Sequence, residues 1–402
     1  MTGCAVLGVG LTPFGKHLDR SLKELAAPAA ESAIADAGIE PDEVDIAFVA
    51  STVSAVTTGQ VAVVGQVVLS HVGISGIPVY TVDNACAGGS AALNLATHAL
   101  RAGVARMALV VGVEKLYAPD RGTTFRALNG AADMEWVRES GIDPERESVF
   151  VSAVYAQRLR DYAARAPLDA KTLARIAVKN RRHAAANPYA QYRDPLTIED
   201  VLAARPVAPP VTSLMCSPIA DGAAAAVIST QESERAVWIR ASRVSMGSPP
   251  PRKRNTVERI AAAAYADAGI RASDLDVAEV HDATAFSELQ AYEDLGLCQP
   301  GAGTSLVERE ATSLGGSIPV NPSGGLESRG HPLAATGLAQ VAELTMQLRG
   351  EAGERQVAGA DVAVAETAGG FVNGDSAAVA VSILARGRDG DRRSVAKRRS
   401  AP

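Results

Sequence analysis

The feature that most constrains this chain is a repeat of itself. The run Ala35-Asp36-Ala37-Gly38-Ile39, followed by Val44-Asp45, returns as Ala266-Asp267-Ala268-Gly269-Ile270, followed by Leu275-Asp276. Each matched position is displaced by 231 residues, so Asp36 answers to Asp267 and Asp45 to Asp276. A Gly-rich turn and an Ala/Leu helix after Cys86 have a counterpart in Gly324-Gly325 and a helix predicted over 334–348. A predicted strand follows each, at 107–113 and 362–365. Spacing held across several elements points to a duplicated fold unit rather than chance. Within each copy apolar, β-leaning runs alternate with amphipathic helical stretches, the pattern of a layered α/β protein.

At 402 residues the chain can bury a full core and hold two such halves. The first half opens over 1–114 and closes over 211–235, and the second spans 236–385. Residues 115–210 break the pattern with an insert rich in Arg, Tyr, Asn and Pro, predicted to carry helices at 149–165 and 168–186 and to cover a substrate. Its cluster Lys179-Asn180-Arg181-Arg182-His183 reads either as a phosphate-holding group or as a solvated helix face. The polar, charged stretch 386–402 reads as a disordered tail.

Composition excludes several function classes. A net charge of −6 without a basic stripe carrying interleaved aromatics argues against a nucleic-acid partner. The four cysteines are scattered and form no C-x-x-C pair, which argues against a metal site or a disulfide framework and fits a reducing, cytoplasmic setting. Apolar stretches are interrupted before reaching about 18 residues, so no membrane span is expected.

The chemistry concentrates at three places. Val82-Asp83-Asn84-Ala85-Cys86-Ala87-Gly88-Gly89-Ser90 reads as strand, sharp turn and helix, with Cys86 at the junction. A thiol there faces the positive end of a helix, which favours the thiolate, and the paired glycines admit a close neighbour. His281 lies at a strand end in Glu279-Val280-His281-Asp282-Ala283. His331 lies in Ser328-Arg329-Gly330-His331-Pro332, after the turn Asn321-Pro322-Ser323-Gly324-Gly325. A thiolate nucleophile wants a nearby base, and a thioester oxygen wants fixed donors.

These motifs resemble the thiolase superfamily, in the branch similar to sterol carrier protein x thiolase and bacterial lipid-transfer thiolases. Gly112-Val113-Glu114-Lys115, Asn187-Pro188-Tyr189-Ala190-Gln191 and Cys216-Ser217-Pro218-Ile219-Ala220-Asp221-Gly222-Ala223 also match, in the same order. The resemblance implies a five-layered αβαβα fold built from two duplicated halves, and a homodimer. It implies acyl transfer between coenzyme A thioesters, with coenzyme A as substrate carrier and no permanently bound cofactor. Cys86 would accept the acyl group, His331 would deprotonate it, and His281 would help form an oxyanion hole. Gly369, Asn321 and Gly325 would belong to the oxyanion holes or the substrate-binding loops.

One element of the family pattern is missing. The second cysteine, an acid/base, falls at Ala283 in one branch and at Thr367 in the other, and neither side chain can act as a base near neutral pH. Cys216 and Cys298 match structural positions. Four readings follow: thiolysis or Claisen condensation with another base; retro-aldol cleavage of a β-hydroxyacyl-CoA, with an OB-fold, zinc-ribbon partner protein; a non-catalytic subunit; and decarboxylating condensation, which needs no α-proton abstraction.

Overall fold

The computed structural model describes residues 3–249 and 254–387. Its strands are β1 (Ala5–Leu11), β2 (Ile46–Ala50), β3 (Val79–Val82), β4 (Met107–Glu114), β5 (Pro206–Ala208), β6 (Val211–Thr212), β7 (Gly222–Ser229), β8 (Val237–Ser245), β9 (Val277–Glu279), β10 (Val362–Gly369) and β11 (Ala378–Ala385). Nine of them run in the order β3-β2-β4-β7-β1-β8-β11-β10-β9, while β5 pairs with β6. β3, β2 and β4 are mutually parallel, and β7 runs antiparallel between β4 and β1. The second half repeats this with β9 parallel to β10 and β11 antiparallel between β10 and β8. The halves meet at β1 and β8, where Ala5 faces Trp238 and Val6 faces Val237.

The sequence repeat is a repeat of structural devices. Gly38 and Gly269 end the helices Leu22–Ala37 and Thr256–Ala268, each at φ 68°, a left-handed C-cap that glycine adopts without strain. One Asp45 oxygen accepts the backbone N–H groups of Arg106 and Met107 at 2.8 and 2.9 Å. One Asp276 oxygen does the same for Asp361 and Val362, also at 2.8 and 2.9 Å. The same acid therefore pins the start of β4 in one half and of β10 in the other.

Three apolar clusters set the layers. Helices Leu22–Ala37 and Val64–His71 cover the outer face of the first half. Helices Gly88–Arg101 and Thr336–Arg349 fill the middle between the two halves. Helices Thr256–Ala268, Ala285–Asp294 and Ala170–Ala184 cover the outer face of the second half. With sheet on either side of the central helices, this is the αβαβα arrangement, and β4, β7 and β11 are buried along their whole length as strands covered on both faces must be. The central segments touch at glycine: a Cβ on Gly89 would lie 2.5 Å from the Ala334 carbonyl oxygen, and one on Gly337 2.0 Å from Ser90 Oγ.

The insert departs from expectation in two ways. The stretch predicted as one helix at 149–165 is a π-helical turn, Phe150–Tyr155, running into an α-helix, Ala156–Ala163. The helix predicted at 168–186 runs Ala170–Ala184, capped by Asp169, whose carboxylate accepts the Thr172 N–H at 2.7 Å. Most of its basic cluster is turned inward rather than forming a solvated face, with Arg182 the exposed member. Lys179, Arg181 and His183 are buried. Lys179 pairs with Glu288 at 2.6 Å, Arg181 donates to Ser328 Oγ, and His183 Nδ1 meets the Asn321 carbonyl at 3.0 Å. The tail expected from residue 386 lies, beyond Gly387, outside the described residues. No helix among those described is long and apolar enough to cross a membrane.

Candidate active site

Cys86 sits in a single 3₁₀ turn, Ala85–Ala87, between β3 and the helix Gly88–Arg101. Ala85 is held at φ 50°, an uncommon conformation for a residue with a Cβ and one that recurs where a side chain must be aimed. Asp83 fixes the turn by accepting the Ala85 N–H at 2.9 Å and the Thr52 hydroxyl at 3.1 Å. The thiol packs against Val53, Leu116 and Leu333, an apolar floor contributed by both halves.

The second half brings the histidines to it. His331 Nε2 lies 3.2 Å from Cys86 Sγ, and its Nδ1 lies 2.7 Å from Thr336 Oγ1. The Thr336 hydroxyl gives its one proton to the Pro332 carbonyl at 3.2 Å. It must therefore accept from Nδ1–H, which leaves the Nε2 lone pair facing the thiol. The His281 ring stands edge-on to His331, 5.1 Å between centroids, and its Nδ1 is buried without a hydrogen-bond partner. The ligand atoms of Cys86, His281 and His331 all lie within 4.8 Å of one another, close enough for a soft or borderline metal as well as for proton transfer.

Burial dominates the electrostatics. It pushes the Cys86 thiol up to about 12, with the nearby Glu114 carboxyl adding to the rise and the N–H groups of Cys86 and Gly370 opposing it. His331 is held well below the usual imidazole range by burial, then by His281 and Arg329. Burial thus disfavours charge on both groups, and loss of water opposes the thiolate that the helix end favours. Glu114, itself pushed to about 7 by burial, ties the two halves together by accepting the N–H groups of Val53 at 3.0 Å and Ala334 at 3.1 Å.

A cavity of about 540 Å³ opens above these groups. Its walls include Cys86, His281, His331, Ala283 and, from the π turn, Phe150 and Tyr155. π-helical turns are rare and gather at functional sites.

Residues 4–203 match the family described as thiolase, N-terminal domain, and residues 244–383 match thiolase C-terminal domain-like. The chain belongs to the thiolase family. An acetyl-CoA acetyltransferase of Methanothermobacter thermautotrophicus is 35% identical over 94% of this chain and 99% of its own length. Sterol carrier protein 2 of Rattus norvegicus is 36% identical over 90% of this chain and 69% of its own. A benzoylsuccinyl-CoA thiolase subunit, BbsB, of Thauera aromatica is 34% identical over 88% of this chain and 90% of its own. In fold, the chain superposes on a structure named Ltp2-ChsH2(DUF35) aldolase with TM-score 0.77 at 24% identity, covering 97% and 99% of the two chains. Human mitochondrial 3-ketoacyl-CoA thiolase gives TM-score 0.73 at 18% identity, covering 96% and 98%.

Against the thiolase pattern the remaining expected residues fall in two groups. Ala283 does line the cavity, so that wall carries a methyl where one branch of the family carries a thiol. The others lie off the cavity wall. Thr367 turns away, donating to Gln340 Oε1 at 2.5 Å and meeting Ser90 Oγ at 3.2 Å between the central helices, and its neighbour Ala368 lines the cavity instead. Gly369 packs its Cα under the turn, where a Cβ would lie 2.5 Å from the Asn84 carbonyl oxygen; the N–H turned to the Cys86 sulfur is that of Gly370. Asn321 is fully buried and engaged at both ends of its amide, accepting the Val280 N–H at 2.9 Å and donating to Glu288 at 2.8 Å. Gly325, at φ 60°, backs onto Asp282 in the same buried cluster, and neither residue is part of the cavity wall.

Sequence reasoning assigned no role to Thr336, Glu114 or Tyr155. Glu114 was signalled by its place in Gly112-Val113-Glu114-Lys115. Nothing local marks Tyr155, because its π turn resembles an ordinary helix in sequence.

Proposed function

We propose that the chain transfers acyl groups between coenzyme A thioesters through a thioester on Cys86. The observation that carries this is the Cys86–His331 contact with the tautomer fixed by Thr336. As the thiol attacks, its proton passes to His331 Nε2, so charge appears only in the transition state, where the N–H groups of Cys86 and Gly370 receive the oxyanion. His281 completes the site when its proton sits on Nε2, toward the cavity, leaving a bare lone pair at the buried Nδ1. The exposed guanidinium groups of Arg121, Arg146 and Arg205 on the cavity wall suit the phosphates of coenzyme A. The net reaction is thiolysis of a 3-oxoacyl-CoA or the reverse condensation, as the names of the acetyltransferase and thiolase relatives suggest.

The test is intact-protein mass spectrometry after incubation with a panel of acyl- and 3-oxoacyl-CoA thioesters. Wild type gains the mass of an acyl group, and Cys86→Ala gains none. An adduct that survives in the variant would assign the acyl group to another residue.

The absence of a thiol at both Ala283 and Thr367 favours one second reading, retro-aldol cleavage of a β-hydroxyacyl-CoA with an OB-fold partner protein. Release of a ketone or aldehyde without an acyl adduct would select it. We further propose a homodimer, supported by the exposed apolar surface around β3, in a reducing compartment such as the cytoplasm, supported by four cysteines that are all free.

A further inference from the structure

Neither Ala283, on the wall of the Cys86 cavity, nor Thr367, turned away from it, supplies a base, and burial pushes the other thiol on that wall, Cys216, up to about 12, so a carboxylate on another element is the better proton acceptor for carbon acid chemistry. β10 offers one. Side chains alternate along a strand, which puts Glu366 on the same face as Ala368. Glu366 is buried, and its Oε2 accepts the backbone N–H of His281 at 2.9 Å. It lines a second cavity of about 530 Å³. That cavity shares Tyr155, Arg158, His281, Ala368 and Ser376 with the wall of the Cys86 cavity. Glu366 itself lies on the second cavity and not on the wall of the Cys86 cavity, next to residues that both cavities share.

We propose that Glu366 is the catalytic base that takes the α-proton of the acyl-CoA entering second, and the acid that returns it in thiolysis. The inference rests on the Cys86 acyl-enzyme reading. In condensation the α C–H bond breaks, an O–H bond forms on the Glu366 carboxylate, and the electron pair becomes an enolate. The enolate carbon attacks the Cys86 thioester carbonyl and the Cys86 sulfur leaves as thiolate. The proton collected by Glu366 restores that thiol, so no net proton is gained or lost.

The surroundings suit the task. Burial pushes Glu366 up to about 7; the His281 N–H opposes the rise, Asp294 across the cavity adds to it, and Arg158 opposes it. Tyr155, Asp161, Tyr162, Arg165, Arg254, Glu258 and Asp375 complete the charged and titratable groups of the wall. A base that is half ionised near neutrality is well matched to proton transfer there.

The experiment follows exchange of acyl-CoA α-protons in deuterated water by NMR, alongside acyl-adduct formation by mass spectrometry. Wild type exchanges the α-protons, with a rate that climbs as pH rises through about 7. Glu366→Gln keeps an acceptor for the His281 N–H, so it still acylates Cys86 but loses exchange by about 100-fold or more, and with it the step near pH 7. Glu366→Asp recovers part of the rate. Exchange at the wild-type rate in Glu366→Gln overturns the proposal, as does wild type that exchanges no α-proton from any thioester. Loss of acylation together with exchange overturns it as well, since Glu366 would then only position His281. Failure of the Cys86 reading shows separately, as wild type without an adduct.

Discussion

Thr336 decides which nitrogen of His331 carries the proton. Its hydroxyl is committed to the Pro332 carbonyl, so it accepts Nδ1–H and leaves Nε2 free for Cys86. Thr336→Val removes that acceptor and lets the tautomers mix. Losing one such hydrogen bond is worth about 1–2 kcal/mol, which corresponds to roughly a tenfold slower acylation of Cys86 in rapid-quench mass spectrometry. Thr336→Ser retains the rate, and a valine variant that acylates at full speed would sink the assignment. Cys86, His281 and His331 were legible in the sequence because each lies where a strand or turn meets a helix in Gly-rich company. Thr336 was not, because its role exists only once Pro332 has taken its proton. That Ala368 and Gly370 line the cavity, rather than Thr367 and Gly369, was not legible for a related reason. A shift of one residue along a strand exchanges its two faces, and no local signal in Glu366-Thr367-Ala368-Gly369-Gly370 says which face meets Cys86.

At the scale of elements, the contact between the central segments sets both stability and the site. A Cβ on Gly89 would lie 2.5 Å from the Ala334 carbonyl oxygen and 3.3 Å from the Leu338 nitrogen, backbone atoms that cannot swing aside. Gly89→Ala is expected to cost about 1–3 kcal/mol in urea unfolding, the range for overpacking a tight core. It also slows acylation, because Ala334 follows His331 by one short turn. Gly88 is the internal control: its nearest neighbour would be Ala50 Cβ at 3.5 Å, an ordinary contact. Gly88→Ala should change stability by less than about 1 kcal/mol, and equal effects at the two positions would refute the packing argument. The paired glycines were readable as a place of close approach, and the repeat as a duplicated fold. The insert was less readable. Lys179 and Arg181 look like solvent-facing cations until Glu288 and Ser328, more than a hundred residues later, fold against them.

For the whole molecule the open question is what covers β3. This strand is the edge of the first half, and an unguarded edge invites pairing with another chain. Around it Val56, Val61, Val63 and Tyr80 are 49%, 79%, 57% and 53% exposed, an apolar surface that a monomer would hide. Val63 is also held at φ 53°, a conformation costly for a β-branched residue unless neighbouring contacts fix it. A second copy of the chain would satisfy all three observations at once. Sedimentation equilibrium is therefore expected to give twice the 41.4 kDa chain mass at micromolar concentration. A Val61→Asp, Tyr80→Asp double variant shifts that mass toward the monomer by placing unpaired charge in the contact. The active site feels the same change, because Asp83 at the end of β3 holds both Thr52 and the Ala85 N–H beneath Cys86. The double variant should then acylate Cys86 more slowly, with the loss growing on dilution. A wild-type chain that sediments as a monomer would remove the interface and leave the strain at Val63 without a cause.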